Sequence, residues 1–133
     1  MSDLSITIPN FQSQTSSQKP PIEMLREAAR TLKQQTGDMV EGSVFTSNPG
    51  GSNLFRHTFY LRARSLNDYT YPLFYVWHEA DLYPAHLLQA GQAQEDAHEC
   101  QDAVELRDKL TEIFASLATR QLVEALMAQA TAA

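Results

Sequence analysis

The fold of this chain is decided by "LFRHTFYLRARSLNDYTYPLFYVWH", residues 54–78. Two runs rich in aromatic and β-branched side chains flank "SLND", a cluster of turn formers. The stretch therefore reads as an antiparallel hairpin. Placing "SLND" at the tip sets Arg64 opposite Tyr69 and fixes every other pair. Phe55, His57, Phe59, Leu61 and Ala63 then share one side with His78, Val76, Phe74, Pro72 and Thr70. Arg56, Thr58, Tyr60, Arg62 and Arg64 share the other with Trp77, Tyr75, Leu73, Tyr71 and Tyr69. Side chains alternate with a period of two, so a one-residue slip would mix these sets. The first side is expected to meet the core, with Phe59 and Phe74 against helices. The second is expected to be amphipathic, with Arg56 over Trp77 and Arg62 over Tyr71. Such cation-over-ring pairs contribute roughly 0.5–1 kcal/mol each when exposed.

The flanking segments extend the sheet. "EGSVFTS", residues 41–47, has strand composition and runs into the turn former "NPGGSN". On the other flank "HEAD" turns the chain into "LYPAHLL", where Leu82, Pro84, His86 and Leu88 continue the amphipathic face. Pro72 and Pro84 lack a ladder donor, so each belongs at a bulge, a strand start or an unpaired edge. "QAGQAQEDAHE", residues 89–99, reads as a loop.

Helices bracket the strands. Pro21 suits a first helical turn, Ile22, Leu25, Ala28, Ala29 and Leu32 recur at helical spacing, and Gly37 suits the left-handed stop. After residue 101, Ala103, Leu106, Leu110, Ile113, Phe114 and Leu117 form one apolar stripe opposite Asp102, Glu105, Asp108 and Glu112. Ser116 or Thr119 can cap a short last helix carrying Leu122, Val123, Leu126 and Met127. The expected class is α+β: an N-terminal helix, an antiparallel three- to four-stranded meander sheet, and C-terminal helices packed on one face. This order is similar to that of the double-stranded-RNA-binding domain. The likeness ends at order, because the helix that is basic there begins acidic here.

At the start of the chain Leu4, Ile6 and Ile8 alternate with Ser5 and Thr7, which is strand period, so this segment either adds to a sheet edge or frays. "FQSQTSSQKP", residues 11–20, is polar and linker-like. The expected organisation is a flexible arm over residues 1–19 and a single domain over residues 20–133.

Composition narrows the function. At 133 residues the chain suits one domain, and its net charge of −6 opposes attraction of the whole molecule to nucleic acid or anionic lipid. No apolar run reaches the ~18 residues of a membrane span, and no signal-peptide pattern opens the chain. A cytoplasmic location is the expectation, and the single cysteine excludes an intramolecular disulfide. "HEAD" is not the HExxH zinc motif, "NPGG" lacks the lysine of a phosphate loop, and there is no dinucleotide fingerprint. No metal or cofactor is therefore expected. His98, Glu99 and Cys100 adjoin in sequence, but neighbours along a chain rarely face one another as nucleophile and base.

What stands out is aromatic surface. Residues 57–88 hold all five tyrosines, the tryptophan and three of the four histidines. Tyr, Trp and Arg are enriched where proteins bind one another. The expected function is non-enzymatic protein interaction, of an adaptor, regulatory or immunity type. The contact residues would be Arg56, Tyr60, Arg62, Arg64, Tyr69, Tyr71, Tyr75, Trp77 and His86. The partner would be another protein, a second copy of the chain included. One alternative is single-stranded nucleic acid stacked on Tyr60, Tyr71, Tyr75 and Trp77. Another is a small enzyme using His57, His78 and His86. The plainest alternative is that the face only stabilises cross-strand pairs.

Overall fold

The computed structural model describes residues 5–8 and 18–133. The expected arm over residues 1–19 therefore falls largely outside the described residues, Leu4 included. Ser5 to Ile8 belong to no helix or strand, and Ile6 and Ile8 are exposed.

Helix α1 spans Pro21–Gln35 and begins, as expected, with proline in its first turn. It ends at Thr36, and Gly37 takes the left-handed conformation with φ 59°. The buried Thr36 hydroxyl accepts from the Val40 N–H at 3.0 Å and lies 2.9 Å from the Leu32 carbonyl and 2.7 Å from that of Val40. One side chain thus fastens the end of α1 to the start of the sheet.

Among the described residues the sheet has five antiparallel strands in sequence order: β1 Glu41–Ser47, β2 Phe55–Ala63, β3 Tyr69–His78, β4 Ala85–Gln89 and β5 His98–Cys100. Three or four strands were expected. The extra one, β5, lies where residues 89–99 read as loop. Its three residues are too short to show a period, and pairing with Ala85, His86 and Leu87 creates it. Pro84 lies just before β4, as a residue without a donor should.

Helix α2, Ala103–Ala115, starts at Asp102, whose carboxylate accepts from the Glu105 N–H at 2.9 Å. Helix α3, Leu117–Ala132, starts at Ser116, whose hydroxyl accepts from Thr119 N–H. Two expectations are corrected here. The last helix is 16 residues long rather than short, and Leu117 leaves the α2 stripe to stand exposed at the start of α3. The Ser116 cap breaks the helix one residue before the stripe would have continued.

All three helices pack on one side of the sheet. Phe59 and Phe74 are fully buried, stack in parallel at 5.0 Å, and receive Phe114 of α2 edge-on at 5.4 and 5.9 Å. Leu25, Leu106, Leu110, Ile113 and Leu126 complete the core from the helices. The expected cluster of Phe59, Phe74, Leu106, Leu110 and Ile113 is therefore present. Gly42 lets α1 approach. A Cβ there would lie 2.5 Å from Phe59 Cζ and 2.7 Å from Ala29 Cα.

The hairpin register holds from Phe55 opposite His78 to Phe59 opposite Phe74, then shifts by one. Beyond the shift Tyr60 pairs with Pro72, Leu61 with Tyr71, Arg62 with Thr70 and Ala63 with Tyr69. Leu73 is the extra residue of the bulge and is buried in the core. The expected pairs Tyr60–Leu73, Arg62–Tyr71 and Arg64–Tyr69 are thus replaced. The physical reason is Pro72, which cannot donate to the ladder and sits where a bulge absorbs the loss. The hairpin tip is also longer than expected. Arg64–Leu66 form a 3-10 turn, and Asn67 and Asp68 take positive φ of 59° and 56°.

Candidate interaction face

Opposite the helices, the sheet presents Phe45 from β1, Arg56, Thr58, Tyr60 and Arg62 from β2, Tyr75 and Trp77 from β3, and His86 from β4. The pairings Phe45–Thr58, Thr58–Tyr75, Arg56–Trp77 and Trp77–His86 place them on one side. No helix of the described chain lies over them. The rings protect one another, so Tyr60, Tyr75, Trp77 and His86 are half-buried, whereas Phe45 is 60% exposed.

The contacts differ in detail from those expected. Arg56 leans diagonally and sets its guanidinium 4.6 Å from the Tyr75 ring centroid rather than over Trp77. Trp77 stacks on His86 instead, at 5.5 Å and 14°. Arg62 does not meet Tyr71. Its Nη2 donates to Asp68 Oδ1 at 3.1 Å, while its Nε is buried without a hydrogen-bond partner among the described residues. Arg62, Asp68, Ser43, Phe45, Tyr60 and Thr70 line a shallow hollow of about 380 Å³.

Three expected contact residues do not share this face. Tyr69 and Tyr71 pair with the buried Ala63 and Leu61, so the bulge moves them to the helix side, where they remain partly exposed at the hairpin end. Arg64 sits in the hairpin turn and donates from Nε to Glu41 Oε1 at 2.5 Å. Sequence alternation alone could not reveal this, because the bulge changes which residues count as even. Phe45 was missed for a different reason. β1, "EGSVFTS", carries glycine, serine and threonine at most positions, so it has no apolar alternation to mark a face.

The three histidines of the enzymatic alternative do not form one site. His86 lies on the open face, while His57 and His78 are buried on the helix side, 3% and 5% exposed. Those two rings approach Nε2 to Nε2 at 2.9 Å. Glu79 carbonyl, 2.6 Å from His78 Nδ1, can only accept, so His78 carries its proton on Nδ1. His78 Nε2 then accepts from His57 Nε2–H, and His57 Nδ1 accepts from the Thr46 hydroxyl at 2.8 Å. The chain of bonds is complete with both rings neutral. One added proton can be accommodated if the Thr46 hydroxyl turns to accept. Two would set N–H against N–H. Burial foremost, then His78 and Arg26, lowers the His57 pKa to about 4. Neither ring lines the hollow beside Arg62.

Cys100 is fully buried opposite Ala85, and burial above all, with Glu105 behind it, pushes its thiol up to about 11. A thiol so protonated is a poor nucleophile. Among the described residues no group of three or more His, Cys, Asp or Glu is placed to hold a metal ion. No helix of the described chain is long and apolar enough to cross a membrane.

A second concave surface lies in the helical layer, a groove of about 820 Å³ between α1, α2 and α3, floored by Leu110 and Phe114 and walled by Met24, Leu32, Val123 and Met127. Sequence reading gave no sign of it. It exists because α3 inserts only Leu126 and Thr119 fully.

No family model, curated protein or solved structure matches this chain, so the reading of these surfaces rests on their own geometry.

Proposed function

We propose that this protein is a non-enzymatic interaction domain that binds another protein through the open sheet face. One observation carries the reading: every helix of the described residues lies on one side of the sheet, and the other side sets out Phe45, Tyr60, Tyr75, Trp77 and His86 with Arg56 and Arg62. Aromatic and arginine side chains gathered on an uncovered face have the composition enriched where proteins bind one another. Rings that already lean on one another lose little side-chain entropy on binding, and guanidinium groups at the margin supply directed donors.

Single-stranded nucleic acid is the weaker reading. Its bases need free ring faces and its phosphates need surplus cations. Trp77 is already stacked by His86 and Tyr75 by Arg56, while Asp68 neutralises Arg62. Glu99, paired with His86, adds another acid to the same face.

Trp77 is the sole tryptophan, so its fluorescence reports on this face directly. Tyr60→Ala with Trp77→Ala should leave a folded protein that no longer recovers the partner taken from its native cells by the wild type. Full recovery by a folded double variant would refute the proposal. Salt-sensitive quenching of Trp77 by an oligouridine would favour nucleic acid instead.

A further inference from the structure

We infer that this chain pairs with a second copy of itself through α3, the two helices lying antiparallel across a two-fold axis. The contact belongs to the helical layer and stands apart from the reading of the open sheet face.

α3 is short of charge for a helix at a surface. Its 16 residues, "LATRQLVEALMAQATA", hold only two charged side chains, Arg120 and Glu124, whereas α1 and α2 hold five each. Its outer side is nonetheless exposed. Leu117 is 68% exposed, and Ala118, Gln121, Ala125, Ala128 and Gln129 are exposed with it. A helix that is apolar or neutral nearly all round is normally a covered one. Charge is likewise depleted at the centre of protein interfaces.

The two charges say what covers it. Arg120 and Glu124 stand one helical turn apart, both exposed, and both line the groove between α1, α2 and α3. Among the described residues neither takes part in a salt bridge. A helix with a cation and, one turn on, an anion is its own complement when reversed. Laid antiparallel about a two-fold axis level with residue 122, Arg120 of each copy meets Glu124 of the other. Leu117 and Met127 lie at helical spacing on either side of the charged pair, so each Leu117 falls beside the other copy's Met127.

The contact is therefore isologous: one patch meets itself, and the assembly closes as a dimer. The second α3 also lies across the mouth of the groove that Arg120, Glu124 and Met127 line. The ion pairs set register and direction, while Leu117 and Met127 supply the apolar burial. A foreign partner would need an acid and a base in that order and at that spacing. A second copy carries them already.

Sedimentation of the full chain from about 1 to 100 µM, in about 50 mM salt to limit screening, tests this. The wild type should be dimeric by the upper end of the range. Arg120→Glu alone and Glu124→Arg alone set like charges against each other twice, and each should weaken self-association by about tenfold or more. Mixed one to one, the same two variants should form a heterodimer about as tight as the wild type, because every Glu then faces an Arg. The double variant carrying both changes in one chain should also dimerise. Leu117→Asp should stay monomeric. All these positions are exposed, so circular dichroism should show the fold kept in every variant. A wild type that stays monomeric throughout the range would overturn the inference. Single variants as dimeric as the wild type would assign the contact to another surface and overturn it too. So would a mixture that associates no better than its two components apart.

Discussion

Lowering the pH should loosen this protein through the His57–His78 pair. Both rings are buried and their hydrogen bonds close with both neutral, from Thr46 to the Glu79 carbonyl. Burial foremost, with lesser contributions from His78 and Arg26, holds the His57 pKa at about 4 against an ordinary 6.5. The unfolded chain therefore takes up a proton that the folded chain refuses, so stability is full above pH 6.5, declines as the pH falls towards 4 and levels off below. A gap of ~2.5 pH units at about 1.36 kcal/mol each amounts to about 3 kcal/mol. That is a large share of a net stability on the order of 5–15 kcal/mol. His57→Gln isolates the effect, because its amide can donate to His78 and accept from Thr46 but does not titrate. Urea unfolding followed by circular dichroism, at steps from about pH 8 to 4, should show the wild type losing about 3 kcal/mol more than the variant. Carboxylates contribute equally to both, so the difference is the measurement. Parallel curves for the two proteins would refute the assignment of the loss to this pair.

Gly42→Ala should lower stability by about 1–3 kcal/mol in thermal melts, because the added Cβ meets Ala29 backbone and α1 must shift to admit it. An unchanged melt would mean that α1 does not approach so closely. Phe59→Ala should cost about 3–5 kcal/mol by removing the ring between Phe74 and Phe114. A loss under about 1 kcal/mol would contradict that stack. Asp102→Ala should cost about 1 kcal/mol by leaving the Glu105 N–H without its cap, whereas Asp102→Asn should restore most of it.

What the sequence determined by itself was whatever local chemistry dictates. Pro21 and Gly37 bounded α1, "NPGGSN" and the residues after Arg64 marked turns, and the alternation from Phe55 to Ala63 chose the buried side of β2. The face carrying Arg56, Tyr60, Arg62, Tyr75 and Trp77 followed from the same period. What only the tertiary structure decided was whatever depends on a partner strand or a competing contact. β5 is three residues long and exists because β4 pairs with it. Pro72 announced a disturbance of the ladder, but its cost could be met by a bulge or by an edge. The choice of a bulge at Leu73 carried Tyr69 and Tyr71 to the other side. Arg56 lies over Tyr75 while His86 stacks on the indole of Trp77. Period and turn chemistry act between neighbours along the chain and can be read there, whereas register after a bulge and the choice among ring partners are settled by residues that meet only once the sheet has formed.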